Sequence, residues 1–181
     1  MIPSFDEDGL LPHDSEATPE ELRISHLVTG EGVGSPTWDT VWRGELVDRV
    51  VRVFELFSRA GGLTEFWLDG SFVEAVDRPG DIDVYFTLQT PREWLTLPDR
   101  LKALEGKDIW SWAPARRRTF PGSIHPKPPF WGRYYVDIYP DLGRGSGIFD
   151  EAGNPMTFPE AFRKQRITYR QKGIVRLRRD P

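Results

Sequence analysis

Between residues 37 and 60 the apolar side chains Trp38, Val41, Trp42, Leu46, Val50, Val53, Phe54 and Phe57 recur at spacings of three and four. That period follows one face of an α-helix, so the segment predicts a long helix with a buried stripe, stopped by Gly61-Gly62. Upstream, Thr18-Pro19-Glu20-Glu21 has the marks of a helix start. Thr18 serves as N-cap, Pro19 stands at the first helical position and Glu21 closes a capping box, predicting a short helix to about Val28.

The period then changes. Glu65-Phe66-Trp67-Leu68 is an apolar run of strand length ending at Asp69-Gly70-Ser71, and residues 72–76 predict a short helical turn. Asp81-Ile82-Asp83-Val84-Tyr85-Phe86 alternates, with Asp81, Asp83 and Tyr85 on one strand face and Ile82, Val84 and Phe86 on the other. Pro91 opens a helix carrying Trp94, Leu101 and Leu104, interrupted or kinked near Pro98, and residues 109–112 form a weak strand candidate. Residues 114–129, with Arg116-Arg117-Arg118 and several prolines, predict a long irregular excursion. A third strand is expected over 133–139, a helix over 158–169 and a short strand over 173–177. No repeat or low-complexity tract interrupts this order. It predicts an α/β (α+β) domain, a small mixed sheet with helices packed against it. One domain spans 1–181, with a helical part at 1–62, a core at 63–140 and a basic helix and strand at 141–181.

Composition narrows the chemistry. The 181 residues contain no cysteine, so any metal must be held by carboxylate, imidazole or carbonyl groups, and oxygen ligands favour Mg²⁺ or Mn²⁺. His13, His26 and His125 are isolated and suggest no zinc site. No apolar run approaches a membrane span and the first residues lack the regions of a signal peptide; a cytoplasmic protein with no membrane partner is expected. The net charge of −4 is unevenly spread, acidic before Arg23 and basic beyond Pro159, which hints at a polyanion such as RNA at the tail.

The alternating strand carries the sharpest signal. Gly70-Ser71, nine further residues and then Asp81-Ile82-Asp83-Val84 resembles the signature of the polymerase-beta nucleotidyltransferase superfamily. The resemblance implies that fold and a metal-dependent transfer of a nucleoside monophosphate. It implies that Gly70 and Ser71 lie over an NTP, that Asp81 and Asp83 bind metal, and that a third acid on a later strand completes the site. Asp137, between Val136 and Ile138, matches that third position. The segments Ile2 to Pro12, Leu68 to Phe72 and Lys172 to Arg176 further resemble a group of small bacterial proteins related to the minimal nucleotidyltransferases, some of which belong to toxin-antitoxin pairs.

The spacing also makes chemical sense by itself. Two carboxylates at i and i+2 of a strand share a face, and a third on a neighbouring strand lets the set bridge two cations that activate the attacking oxygen and neutralise pyrophosphate. Gly70 allows close backbone approach, and the start of a helical turn suits a phosphate. Arg116, Arg117 and Arg118 either grip the triphosphate or acceptor, or form a solvated loop. Trp110 and Trp112 either stack a base or pack in the core. Asp69 is read as an N-cap and Glu74 as a surface residue.

The expected activity moves an NMP from an NTP to a protein hydroxyl or an RNA end, such as that of a tRNA, as part of a toxin-antitoxin or phage-defence system. Two alternatives stand beside it. One is a non-catalytic module of the same fold that holds a cognate toxin or antitoxin; the other is a glycosyltransferase using Asp-x-Asp to hold a nucleotide sugar.

Overall fold

A computed structural model describes residues 1–107, 109–110, 119–120, 127, 129–143 and 145–179. The chain runs β1 (Ser15–Ala17), α1 (Pro19–Arg23), α2 (His26–Thr29), α3 (Thr40–Ala60) and β2 (Leu63–Asp69). A 3-10 turn (Gly70–Val73) leads to β3 (Ile82–Leu88), α4 (Pro91–Glu105), α5 (Pro129–Tyr134), β4 (Val136–Pro140), α6 (Phe158–Phe162) and β5 (Val175–Leu177). The strands form one mixed five-stranded sheet in the order β1-β5-β2-β3-β4. The β2–β3 and β2–β5 pairs are antiparallel, and β3–β4 and β1–β5 are parallel.

Helix α3 forms because its apolar stripe has a sheet to bury it. Leu46, Val50, Val53 and Phe57 are wholly buried, facing Phe66, Leu68, Val84, Phe86 and Val136 of the sheet in one core. Val41, expected in that stripe, is 75% exposed because, five residues before Leu46, it stands off the buried face of the helix. The expected capping box of α1 forms between Thr18 and Glu21, and equivalent boxes start α4 and α6. Helix α4 runs unbroken through Pro98.

The helix expected from Thr18 to about Val28 is broken into α1 and α2 at Ile24-Ser25, and other expectations change as well. Residues 133 and 134 are helical, so the strand expected from Arg133 starts at Val136, after Tyr135 turns the chain with φ at 52°. The helix expected over 158–169 ends at Phe162. Strand β1 was not foreseen, because three residues reading Ser-Glu-Ala carry no period; β1 exists through its pairing with β5. No helix among the described residues is long and apolar enough to cross a membrane.

The two faces of the sheet differ. Phe66, Leu68, Ile82, Val84, Phe86, Val136 and Ile138 point into the core. The opposite face carries Trp67, Asp69, Asp83, Tyr85, Asp137 and Tyr139, and α6 covers its aromatic part through Phe158 and Phe162. Its acidic part remains beside that cover.

Candidate functional site

Strand register brings the acids together. Asp69 pairs with Asp83 across β2 and β3, and Asp83 pairs with Asp137 across β3 and β4. Three carboxylates therefore stand in one rung across three adjacent strands. Asp81, two residues before Asp83, projects toward the same side at the mouth of β3. The sequence-predicted set Asp81, Asp83 and Asp137 is thus assembled, with Asp69 as an unforeseen neighbour.

The Gly70-Ser71 turn lies directly against this rung. Gly70 has φ 80°, and a Cβ there would run into Asp83 Oδ2. Only glycine accepts both that backbone angle and that contact. Asp69 at the head of the turn makes no side-chain cap, contrary to its expected role. Its carboxylate instead meets Lys172, with Oδ1 2.8 Å from Nζ, and Lys172 also binds Glu74 Oε1 at 2.5 Å. Glu74 is therefore not a plain surface residue. The Lys172 side chain is only 2% exposed, so the turn is clamped on one flank by an enclosed ion triad.

The spacer between the turn and Asp81 is shaped by the first turn of α3. Arg43, fully buried, donates Nη1 to the carbonyls of Leu27 and Phe72, and Nη2 to those of Glu74 and Val76. Its guanidinium lies 3.8 Å from the Trp38 ring, and burial pushes its pKa down to about 10, against the pull of Asp77. Next to it, Trp42 Nε1 donates to Pro79 O at 2.6 Å. Neighbouring residues on one helix thus hold both ends of the stretch that separates the turn from the acids.

One cation already stands among the acids. Lys127 Nζ lies 2.5 Å from Asp137 Oδ2 and 3.3 Å from Asp81 Oδ2. Asp81 Oδ2 also accepts from Trp131 Nε1 at 2.6 Å, and Asp137 Oδ2 from the Tyr139 hydroxyl at 2.8 Å. Although the acids share a rung, no three carboxylate or imidazole groups among the described residues converge closely enough in this arrangement to hold a metal ion.

The electrostatics reflect this crowding. Burial first, and then repulsion from Asp81, Asp69 and Asp137, drives the Asp83 carboxyl well above its usual range, with Lys127 opposing. Burial likewise lifts Asp69 to about 6, against the pull of Lys172. Burial alone would depress Lys127, but its bond to Asp137 and the charges of Asp137, Asp81 and Asp83 outweigh it and hold the ammonium above its ordinary value. The Tyr139 hydroxyl is raised by burial and by the same carboxylates. A row of acids whose charges are incompletely matched is a place that attracts cations.

Other predicted residues fare differently. Ser71 sits in the 3-10 turn beside Gly70. Arg116, Arg117, Arg118, Trp112 and His125 lie outside the described residues. Trp110 is a core residue, 7% exposed and packed on Phe57 and Phe86. The basic tail is largely engaged at home. Arg163 pairs with Asp14, Arg170 with Asp8, Arg176 with Glu16 and Arg178 with Glu21. The acidic start and basic end that suggested a polyanionic partner are to this extent partners of each other.

Sequence reasoning missed Lys127, Trp131, Tyr139, Lys172 and Arg43. Lysine carries no periodic signal, and Arg43 sits in a helical sequence where its burial cannot be foreseen. Tyr139 had a signal, since it shares a strand face with Asp137.

Comparison with protein families matches residues 3–178 to the family described as Family of unknown function (DUF6932). The chain belongs to that family. Neither the curated proteins nor the solved structures contain a match. The DUF6932 match runs from the N-terminal segment through the acidic rung to the end of β5, and so takes in both flanks of the site.

Proposed function

We propose that this DUF6932 protein is a metal-dependent nucleotidyltransferase that moves an NMP from an NTP to a protein hydroxyl or an RNA end, with its sheet in the nucleotidyltransferase fold. The reading rests above all on the pairing of Asp83 with Asp137 in register, with Asp81 beside them and the Gly70-Ser71 turn packed on Asp83. The succession of β2, turn, β3, α4 and β4 supports it, because it delivers Asp83 from β3, Asp81 from the residue just before that strand and Asp137 from β4 to a common side.

The donor set suits Mg²⁺ or Mn²⁺ in kind: the groups are hard oxygen ligands, and where no three of them converge as a cage an ammonium bridges Asp81 and Asp137 as a stand-in cation. Asp81, Asp83 and Asp137 would hold the metal. When bound, it supplies neutralisation of phosphate charge and activation of the attacking oxygen. The chain's own residues do the rest. The turn at Gly70 and Ser71 offers a close-approach surface for the triphosphate, Arg43 and Lys172 keep that turn in place, and Tyr139 orients Asp137 through its hydrogen bond. Arg116 and Arg118 remain proposed contacts to the triphosphate or acceptor.

The test is incubation with each α-labelled NTP, Mg²⁺ or Mn²⁺, and total RNA or cell lysate. A labelled RNA or protein product is expected, and it should vanish in Asp83→Asn and Asp137→Asn. No product with any NTP would count against catalysis. A second reading has one observation in its favour, since Lys127 already neutralises two of the acids: a non-catalytic module that binds a cognate toxin or antitoxin. Mg²⁺-dependent NTP binding that is lost in Asp81→Ala argues for the enzyme; its absence from the parent protein argues for the module.

A further inference from the structure

We infer that Lys127 is an internal cation standing where a divalent metal enters, and that metal binding at Asp81 and Asp137 requires its displacement. The inference rests on the nucleotidyltransferase reading and adds a control to it.

The contacts define a competition for the same atoms. Oδ2 of Asp81 is shared by Lys127 Nζ and Trp131 Nε1, and Oδ2 of Asp137 by Lys127 Nζ and the Tyr139 hydroxyl. Both oxygens meet the same ammonium, so a metal bridging Asp81 and Asp137 from that side would compete for them. An ammonium and a divalent cation cannot both stand there, because like charges a few ångströms apart in a half-buried site repel strongly. Lys127 is suited to leave. It lies outside the five strands, in a single β-bridge, and its charge sits on a long stem with many rotamers, whereas Asp137 is held within β4 and Asp81 directly precedes β3. Its Nζ is 5.8 Å from the centre of the Trp131 ring, an aromatic face beside the cluster.

Displacement sets a thermodynamic cost that a lone metal must meet. An incoming triphosphate brings negative charge that can receive the freed ammonium. Metal and nucleotide should therefore bind with positive coupling, each tighter in the presence of the other. The free protein is held in a neutralised state until both arrive.

The experiment measures Mn²⁺ binding to the full chain from the free-ion electron paramagnetic resonance signal, without nucleotide, for the parent, Lys127→Met and Lys127→Arg. The methionine variant should bind Mn²⁺ about tenfold more tightly or better, since the competent state no longer has to be vacated, while the arginine variant should not gain. In the parent, acylation of Lys127 by an amine-reactive ester, read by mass spectrometry, should rise when Mn²⁺ and an NTP are added, with Lys107 unchanged. Equal Mn²⁺ affinity in parent and Lys127→Met overturns displacement and leaves the metal site standing. Absence of Mn²⁺ binding in both, with folded protein, overturns the metal reading and displacement together. Should Lys127→Met fail to fold, the labelling decides alone, and unchanged labelling on a nucleotide-loaded, metal-loaded chain overturns the inference.

Discussion

At Gly70 the backbone takes φ 80° while the Asp83 carboxylate fills the space a side chain would need. Two separate demands fall on one residue, and each excludes any L side chain. Gly70→Ala should therefore lose about 1–3 kcal/mol of stability from backbone strain alone, and more if Asp83 has to move. Urea unfolding measures that loss. Because Asp83 would be pushed out of its rung, NTP-dependent labelling should fall further than a stability loss of that size explains, as shown by assay well below the unfolding midpoint. Asp81 and Asp83 could be picked out from residue order, since an alternating strand puts i and i+2 on one face. Lys127 could not, because a lysine between prolines is chemically indistinct until its ammonium is seen between two carboxylates.

Among the elements, α3 matters most to the site although it contributes no acid. Its buried stripe fixes its roll against the sheet, and that roll aims Trp42 and Arg43 at the spacer that joins the turn to Asp81. Arg43 satisfies four carbonyls with two nitrogens, a task for a planar guanidinium. Arg43→Met leaves those carbonyls without their donor and should cost about 3 kcal/mol or more, with Arg43→Lys recovering only part. Hydrogen exchange should show faster opening across residues 70–76 in both variants, ahead of any change in β3. The period of α3 was legible in the sequence, its buried arginine was not. Periodicity reports which face is apolar, whereas the burial of a cation depends on carbonyls supplied from residues 27 and 72–76, far along the chain.

Across the whole molecule, the N-terminal and C-terminal segments meet beside the site, at the β1–β5 edge of the sheet. Strand β1 lies parallel to β5, Gly173 donates its N–H to Leu11 O, and a Cβ at Gly173 would collide with the His13 carbonyl. Exposed pairs such as Arg163–Asp14 and Arg176–Glu16 line this seam and should weaken with salt, contributing little individually. Lys172 differs because it is enclosed between Asp69 and Glu74. Lys172→Met should destabilise the protein by about 3–5 kcal/mol, since it strands two carboxylates beside a rung that is already acidic. The same loss should persist in high salt, where the exposed pairs are screened, and unfolding at two ionic strengths tests this contrast. The sequence by itself determined the alternating strand around Asp83, the long α3 stripe, the Thr18 cap and the spacing of the acids at 81, 83 and 137, because each follows from local period or spacing. Only the tertiary structure decided the strand order, the rung that adds Asp69, the pairing of acidic start with basic end, and the cation at the centre. Those depend on which distant segments share a hydrogen-bonded edge, and a carboxylate's partner is chosen by proximity in space, which a one-dimensional pattern does not carry.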